Sequence, residues 1–310
     1  MMNKKFQLSV ILPAFNEQDN LKVMLDDLTA VIKEYDYEII FVDDGSNDNT
    51  LHILKQLREQ NSRIHFLSFS RNFGHQNALK AGLDHAGGDC LVFMDCDLQH
   101  PSKLIIEMLE LWQKGNEVVY TIRQDDENTS FFKRKTASFF YRIINSLADV
   151  PIAEGRADFF LLDKKVAAIL KNYNESPLFF RGFIPWMGFK QIGINYVPSP
   201  RFLGKTKYSL KRMIEFAIDG ITSFSIKPLR ASILFGAFLS LGAFFYLTFI
   251  IYEKIFFNDS ISGWTSILAS ILLLGGIQLI MLGIIGEYLG KLFMSTKNRP
   301  NYIIRERSGT

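Results

Sequence analysis

Short apolar runs and longer amphipathic stretches alternate along the first half of the chain. Leu8–Leu12, Glu38–Val42, Ile64–Phe69 and Cys90–Met94 are brief, largely apolar and partly β-branched, the pattern of strands buried on both faces. Between them, Gln18–Glu34, Thr50–Gln60 and His75–His85 read as helices, the first carrying Leu21, Met24, Leu25, Leu28 and Ile32 as an apolar stripe. Strand alternating with helix predicts right-handed crossovers and an α/β sheet covered on both faces. In such sheets ligands bind beyond the carboxyl ends of the strands. The polar clusters Pro13–Glu17, Asp43–Asp48, Ser70–Gly74 and Asp95–His100 fall at those ends.

The second half is patterned differently. Phe131-Phe132-Lys133-Arg134-Lys135, followed by Phe139, Phe140, Tyr141, Ile143 and Ile144, predicts a basic, aromatic-rich amphipathic helix. It either packs on the core or lies at a membrane surface with its charges near anionic headgroups; Tyr208–Ile226 is a second segment of this kind. Two uncharged apolar runs follow, Ala231–Tyr252 and Trp264–Gly286, each reaching the roughly 20 residues a bilayer core requires. Lys227 and Arg230 precede the pair, and Lys291, Lys297, Arg299, Arg305 and Arg307 come after it. By the positive-inside rule both termini face the cytoplasm and the runs form a hairpin anchor. The expected organisation is an α/β half at 1–130, a second half with juxtamembrane amphipathic helices at 131–230, two spans at 231–290 and a cytoplasmic tail at 291–310.

Charge and cysteine content narrow the classes. A net charge of +3 over 310 residues is too small to argue for nucleic acid. Cys90 and Cys96 fit neither a disulfide framework nor a zinc set, and read as two buried thiols in a reducing compartment. Lys4 and Lys5 precede a short apolar run, but Pro13, Asn16 and Glu17 cut it short of a signal-peptide core. The N-terminal domain is expected in the cytoplasm.

Chemistry concentrates in the loops. Asp95-Cys96-Asp97 follows a buried strand, and two carboxylates at i and i+2 can converge on one hard cation. Mg²⁺ or Mn²⁺ is bound by one or two carboxylates plus waters and diphosphate oxygens, and neutralises charge on a departing nucleoside diphosphate. Asp43-Asp44-Gly45-Ser46 also ends a strand: Gly45 suits a tight turn, and Asp48 or Asn49 is placed to cap the helix at Thr50. The adjacent Asp43 and Asp44 repel one another and need hydrogen-bond donors, which a base or ribose would supply. Pro13-Ala14-Phe15-Asn16-Glu17 puts Asn16 and Glu17 beside the same rim.

Taken in order and spacing, Pro13–Glu17, Val42–Ser46, Ser70–Gly74 and Asp95–Pro101 resemble family 2 glycosyltransferases, and within them the bacterial polyprenyl-phosphate glycosyltransferases and the dolichyl-phosphate mannose synthases. The resemblance implies a GT-A fold (a Rossmann-like α/β domain), an inverting mechanism and Mg²⁺ or Mn²⁺. It also implies a UDP-sugar donor, with glucose or N-acetylglucosamine favoured, and a polyprenyl phosphate acceptor at the inner membrane. By position, Pro13, Asn16, Glu17, Asp43, Asp44, Ser46 and Asp95 hold the donor, and Asp97, with Asp95, holds the metal. Asp158 corresponds to a catalytic aspartate; Arg123, Arg134, Ser138, Arg201, Lys205 and Lys207 match the acceptor-phosphate residues. Glu154-Gly155-Arg156 is bulkier and more charged than the family pattern before Asp158.

A phosphate monoester has a second pKa near about 6, so the acceptor is already a nucleophilic dianion at neutral pH. Asp158 then orients that phosphate or takes its residual proton. A processive polysaccharide synthase is disfavoured by the lack of a Q-x-x-R-W motif, and a transporter by only two spans. A non-catalytic scaffold has no need of the acidic set, and an enzyme using another acceptor stays open. Gly236, Gly242, Gly275 and Gly283 on the spans suit packing against other subunits in a homo-oligomer such as a tetramer.

Overall fold

The computed structural model describes residues 6–124, 155–173, 178–198, 222, 225–257, 263–297 and 299–308. Arg134, Ser138, Arg201, Lys205, Lys207 and the two amphipathic segments, apart from a few residues near 225, lie outside these. In chain order the elements are β1 (Gln7–Ala14), α1 (Leu21–Ile32), β2 (Asp36–Asp43), α2 (Thr50–Gln60), β3 (Ile64–Phe69), α3 (His75–His85), β4 (Cys90–Phe93) and α4 (Leu104–Gln113). Then come β5 (Val118–Arg123), β6 (Arg156–Asp163), α5 (Lys164–Lys171), α6 (Phe180–Trp186), β7 (Gln191–Tyr196), α7 (Lys227–Phe257), α8 (Trp264–Thr296) and β8 (Ile304–Arg307).

The strands form one sheet in the order β7-β5-β6-β4-β1-β2-β3-β8. Along β1 the pleat sends Leu8, Val10 and Leu12 into one core layer, with Leu21, Met24 and Leu28 of α1, Leu54 of α2 and Met108 of α4. Ile11 points the other way, into a layer with Ala78 and Leu79 of α3, Val166 and Leu170 of α5 and Phe183 of α6. Both faces are therefore covered, as the unbroken apolar runs predict. The stripe expected on α1 is the buried one: Leu21, Met24, Leu28 and Ile32 face the sheet and Leu25 packs at its margin.

Strands β3, β2, β1 and β4 are parallel. The chain runs outward from β1 to β3 and then returns to the opposite side of β1, so the winding direction switches between β1 and β4. A crevice opens at such a point beyond the strand ends. The ends of the sheet depart from simple alternation, because β6 runs antiparallel to β4 and β5, and β8 antiparallel to β3.

Helices α7 and α8 contain stretches long and apolar enough to cross a membrane, Lys227–Tyr252 and Leu273–Thr296. Their apolar side chains are largely open, Phe238 at 73%. A Cβ at Gly236, Gly242, Gly275 or Gly283 would meet nothing within 4 Å, so these four positions are open in the described chain. The helix pair is fastened at its base, where the Tyr288 hydroxyl donates to Ser225 O at 2.6 Å. Cys90 and Cys96 are both free and buried, as expected.

Candidate active site

A cavity of about 290 Å³ opens at the switch point, lined by Pro13, Ala14, Phe15 and Glu17 after β1, Asp44 after β2, Asn72, Gly74, His75 and Ala78 at the start of α3, and Asp95, Cys96 and Asp97 after β4. Four loops distant in sequence thus meet because parallel strands place all their carboxyl ends at one edge.

The first two loops are laced together. Asn16 N–H donates to Ser46 Oγ (2.9 Å), Asn47 N–H to Asn16 Oδ1 (2.9 Å) and Glu17 N–H to Thr50 Oγ1 (3.0 Å). Asn16 holds φ +56° to do this, a left-handed conformation that asparagine tolerates better than most residues. Asn49 occupies the N-cap position of α2 without a side-chain cap, and the capping is done by Asp48, whose Oδ1 accepts from Thr50 N–H at 3.0 Å.

The repulsion between Asp43 and Asp44 is relieved inside the protein. Asp43, 1% exposed, accepts from Ser46 N–H (2.9 Å) and the Ser68 hydroxyl (2.7 Å). Asp44 accepts from Phe73 N–H at 2.6 Å and Gly74 N–H at 2.9 Å, which ties β2 to the loop before α3. Burial pushes the Asp44 carboxyl up, the Phe73 and Gly74 donors pull it down, and the charge of Asp43 adds to the rise. Gly45, at φ +69°, lets this turn press on the next: a Cβ there would lie 2.5 Å from the Arg71 carbonyl carbon. Gly45→Ala is expected to cost about 2–3 kcal/mol of stability and weaken nucleotide binding. Denaturant unfolding checks the first, and an unchanged midpoint would show that the Arg71 loop yields freely.

The fourth loop carries the densest electrostatics. Asp95 Oδ1 lies 2.7 Å from His75 Nε2, and the other His75 nitrogen faces Asp158 Oδ2 at 3.8 Å. Burial works against the charge on His75, but Asp95, through charge and hydrogen bond, and then Asp158 raise it to about 9. His75 is therefore an imidazolium at neutral pH. Burial likewise opposes the charge on Asp95, yet His75, then His100 and Arg181, hold its carboxyl well below the usual carboxylate range. His100 Nδ1 accepts from Asp95 N–H at 3.1 Å, leaving its proton on Nε2, which faces Asp95 Oδ2 at 3.9 Å. Stacking on Phe159, with ring centroids 5.0 Å apart, fixes that imidazole. Asp97 Oδ1 accepts from Gln99 N–H at 3.1 Å, and Leu98 between them sits at φ +62°. A branched residue in that region stores strain, a recurring mark of functional loops.

Beyond His75, Asp158 on β6 receives a bidentate pair from Arg181 on α6, Nε to Oδ1 at 2.7 Å and Nη2 to Oδ2 at 2.9 Å. Gly155 at φ +74° lets β6 start against Arg123 O. The buried Arg156 guanidinium stacks over Tyr120 at 4.2 Å, so the arginine of that departure packs into the core, while Glu154 lies outside the described residues. Burial pushes Arg156 down to about 10, still a cation at neutral pH.

Of the residues singled out in the sequence, Pro13, Glu17, Asp44, Asp95 and Asp97 line the cavity. Asn16, Ser46 and Asp43 support its wall, Asp158 stands behind His75, and Arg123 is exposed at the end of β5. His75 and Arg181 carried no expected role, and His100 entered only as the end of an acidic cluster. Among the described residues no three His, Cys, Asp or Glu side chains form a self-sufficient metal site. The donor set nonetheless suits a hard divalent ion. Burial raises the Glu17 carboxyl, a bond from Asn20 lowers it, and the charges of Asp97 and Asp95 raise it further. A cation between these carboxylates and a diphosphate would offset their repulsion, and two carboxylates plus diphosphate oxygens and water would complete its shell.

The chain is similar to known glycosyltransferases. The model of glycosyl transferase family 2 covers residues 9–169. An uncharacterized glycosyltransferase of Bacillus subtilis is 40% identical over 310 residues, 99% of this chain and 96% of that protein. A prophage bactoprenol glucosyl transferase homolog of Escherichia coli is 38% identical over 96% of this chain and 98% of its own, and the bactoprenol glucosyl transferase of Shigella phage SfII 38% over 97% and 98%. Among solved structures, a mannosyltransferase of Pyrobaculum calidifontis in complex with GDP-Man and Mn²⁺ shares the fold, with TM-score 0.52 and 15% identity over 96% of this chain and 89% of that one.

Proposed function

Because the chain belongs to glycosyl transferase family 2, we propose that it transfers glucose from UDP-glucose to polyprenyl phosphate at a membrane surface, with inversion at the sugar. The observation that carries the reading is one chain joining an acidic, cation-demanding cavity to a pair of long apolar helices. Full-length likeness to proteins named bactoprenol glucosyl transferase supports both the sugar and the lipid acceptor.

The acceptor is a dianion that needs no strong base. One of its oxygens attacks the anomeric carbon, the bond from that carbon to the diphosphate breaks, and UDP departs with the electron pair. Asp97 and Asp95 are the residues to hold Mg²⁺ or Mn²⁺, which when bound offsets charge on the leaving diphosphate. Glu17 and Asp44 shape the donor end of the cavity, and the His75 imidazolium faces it as a fixed positive charge. Asp158, gripped by Arg181, is better placed to orient than to abstract a proton, since the guanidinium engages both its oxygens. Arg123 and the basic residues Arg134, Arg201, Lys205 and Lys207, with Ser138, are assigned to the acceptor phosphate.

A two-span hairpin with the catalytic domain and both ends on the cytoplasmic side is part of the reading. It is supported by Lys227 at the start of α7, and by the chain after α8 rejoining the catalytic sheet as β8. The test is transfer in detergent with undecaprenyl phosphate, Mn²⁺ or Mg²⁺ and a panel of labelled nucleotide sugars. A metal-dependent, lipid-extractable product from UDP-glucose is expected. Product from another donor alone would overturn the sugar, and absence of any lipid product from protein that binds UDP would overturn the acceptor.

A further inference from the structure

The chain that follows α8 does not hang below the domain. Residues 302–308 run along the free edge of β3, pairing Leu67 with Arg307 and Phe69 with Ile304. Ser70 N–H donates to Ile303 O at 3.0 Å, Ser308 N–H to Phe66 O at 3.0 Å, and Lys55 of α2 pairs with Glu306. Tyr302 is the centre of this contact. Its ring stacks on Phe69 with centroids 5.2 Å apart and planes 15° from parallel, and its hydroxyl donates to Asp84 Oδ2 at 2.9 Å. Asp84 also pairs with Lys80, which is 3% exposed and donates to Lys171 O at 2.9 Å.

The contacts of Tyr302 land on a single unit, the stretch from Phe69 to α3, at both of its ends. The front of that unit is a wall of the cavity: Asn72, Gly74, His75 and Ala78. Force passes between the two sides by packing. Phe69 stacks on Tyr302 behind and meets Phe73 edge-on at 5.6 Å in front, and Phe73 N–H is one of the two donors to Asp44. The Arg71 guanidinium covers the Phe73 ring at 4.0 Å. Asp44, the Gly45 turn and the Asn77 amide, which donates to Phe73 O at 2.7 Å, hold this loop on the cavity side, and Tyr302 backs it through Phe69.

We propose that residues 302–308 are a positioning strap for the donor site: seated on β3 and α3, they set the Asn72–His75 wall and hence nucleotide affinity. The strap begins shortly after α8 ends at Thr296, so in the chain it lies between the membrane-type helix and the wall of the donor cavity. This rests on the glycosyltransferase reading, and the experiment separates the two.

The full-length protein in detergent is compared with Tyr302→Ala, Tyr302→Phe and the exposed control Arg305→Ala, by calorimetric UDP binding in Mn²⁺ and by transfer kinetics. Tyr302→Ala loses the stack and the hydroxyl bond, so its UDP Kd and donor KM are expected to rise roughly fivefold or more. Its kcat at saturating donor and its KM for polyprenyl phosphate should stay within about twofold of wild type. Tyr302→Phe keeps the ring and is expected to weaken UDP binding by about two- to threefold; it carries the test if the alanine variant does not fold. Arg305→Ala should match wild type. Unchanged UDP affinity in both Tyr302 variants overturns the strap, as does an equal rise in both KM values, which marks general loosening. Wild-type protein that binds no UDP sinks the functional reading and the strap's role with it.

Discussion

Asp97→Ala is expected to lower transfer by at least about a thousandfold while leaving the fold intact. It is a cleaner probe than its neighbour two residues before. Asp95 is bonded to His75 and faces His100, so its removal leaves an imidazolium without its partner and disturbs the wall of α3. Asp97 lines the cavity and is half-buried, with Gln99 N–H among its partners, so its removal gives up a loop hydrogen bond. The melting temperature of Asp97→Ala should therefore stay within about 3 °C of wild type. UDP binding without metal should survive, and its enhancement by Mn²⁺ should disappear. A variant that keeps more than about a tenth of wild-type turnover, with unchanged metal dependence, would place the cation elsewhere.

Why Asp97 could be singled out at all, and His75 could not, follows from the range of the signals. Thr50–Gln60, Ile64–Phe69 and His75–His85 have the bounds their apolar patterns predict, because a strand buried on both faces and a helix with one buried stripe declare themselves within a dozen residues. The D-x-D pair is equally local. The His75–Asp95 and Asp158–Arg181 contacts join residues 20 and 23 positions apart, and exist only because of strand order and the placement of α6. Asp43 shows the same limit in another form. Two adjacent carboxylates announce a need for donors, but nothing local says that Ser46 N–H and the Ser68 hydroxyl meet it on one and the Phe73–Gly74 backbone on the other. Strand β8 is the extreme case. Ile304-Arg305-Glu306-Arg307 reads as a charged tail, and it becomes a strand only because β3 offers an unpaired edge.

Arg181→Ala is expected to lower kcat by about a hundredfold, and Arg181→Lys to recover little of that loss. The guanidinium meets both oxygens of Asp158 in a planar fork that an ammonium cannot reproduce. Once released, an Asp158 carboxylate that is only 11% exposed has the His75 cation at 3.8 Å and is expected to turn toward it. That movement would withdraw Asp158 from its proposed place beside the acceptor and disturb the His75–Asp95 pair, so one substitution is expected to weaken both halves of the proposed site. If Asp158 and Arg181 act as one unit, the double variant Asp158→Asn/Arg181→Ala should be no slower than the worse of the two single variants. Losses that multiply would mean that each residue acts independently. Near-wild-type turnover in Arg181→Ala, beside an inactive Asp158→Asn, would show that Asp158 works without its clamp, and would return it to the role of a proton acceptor.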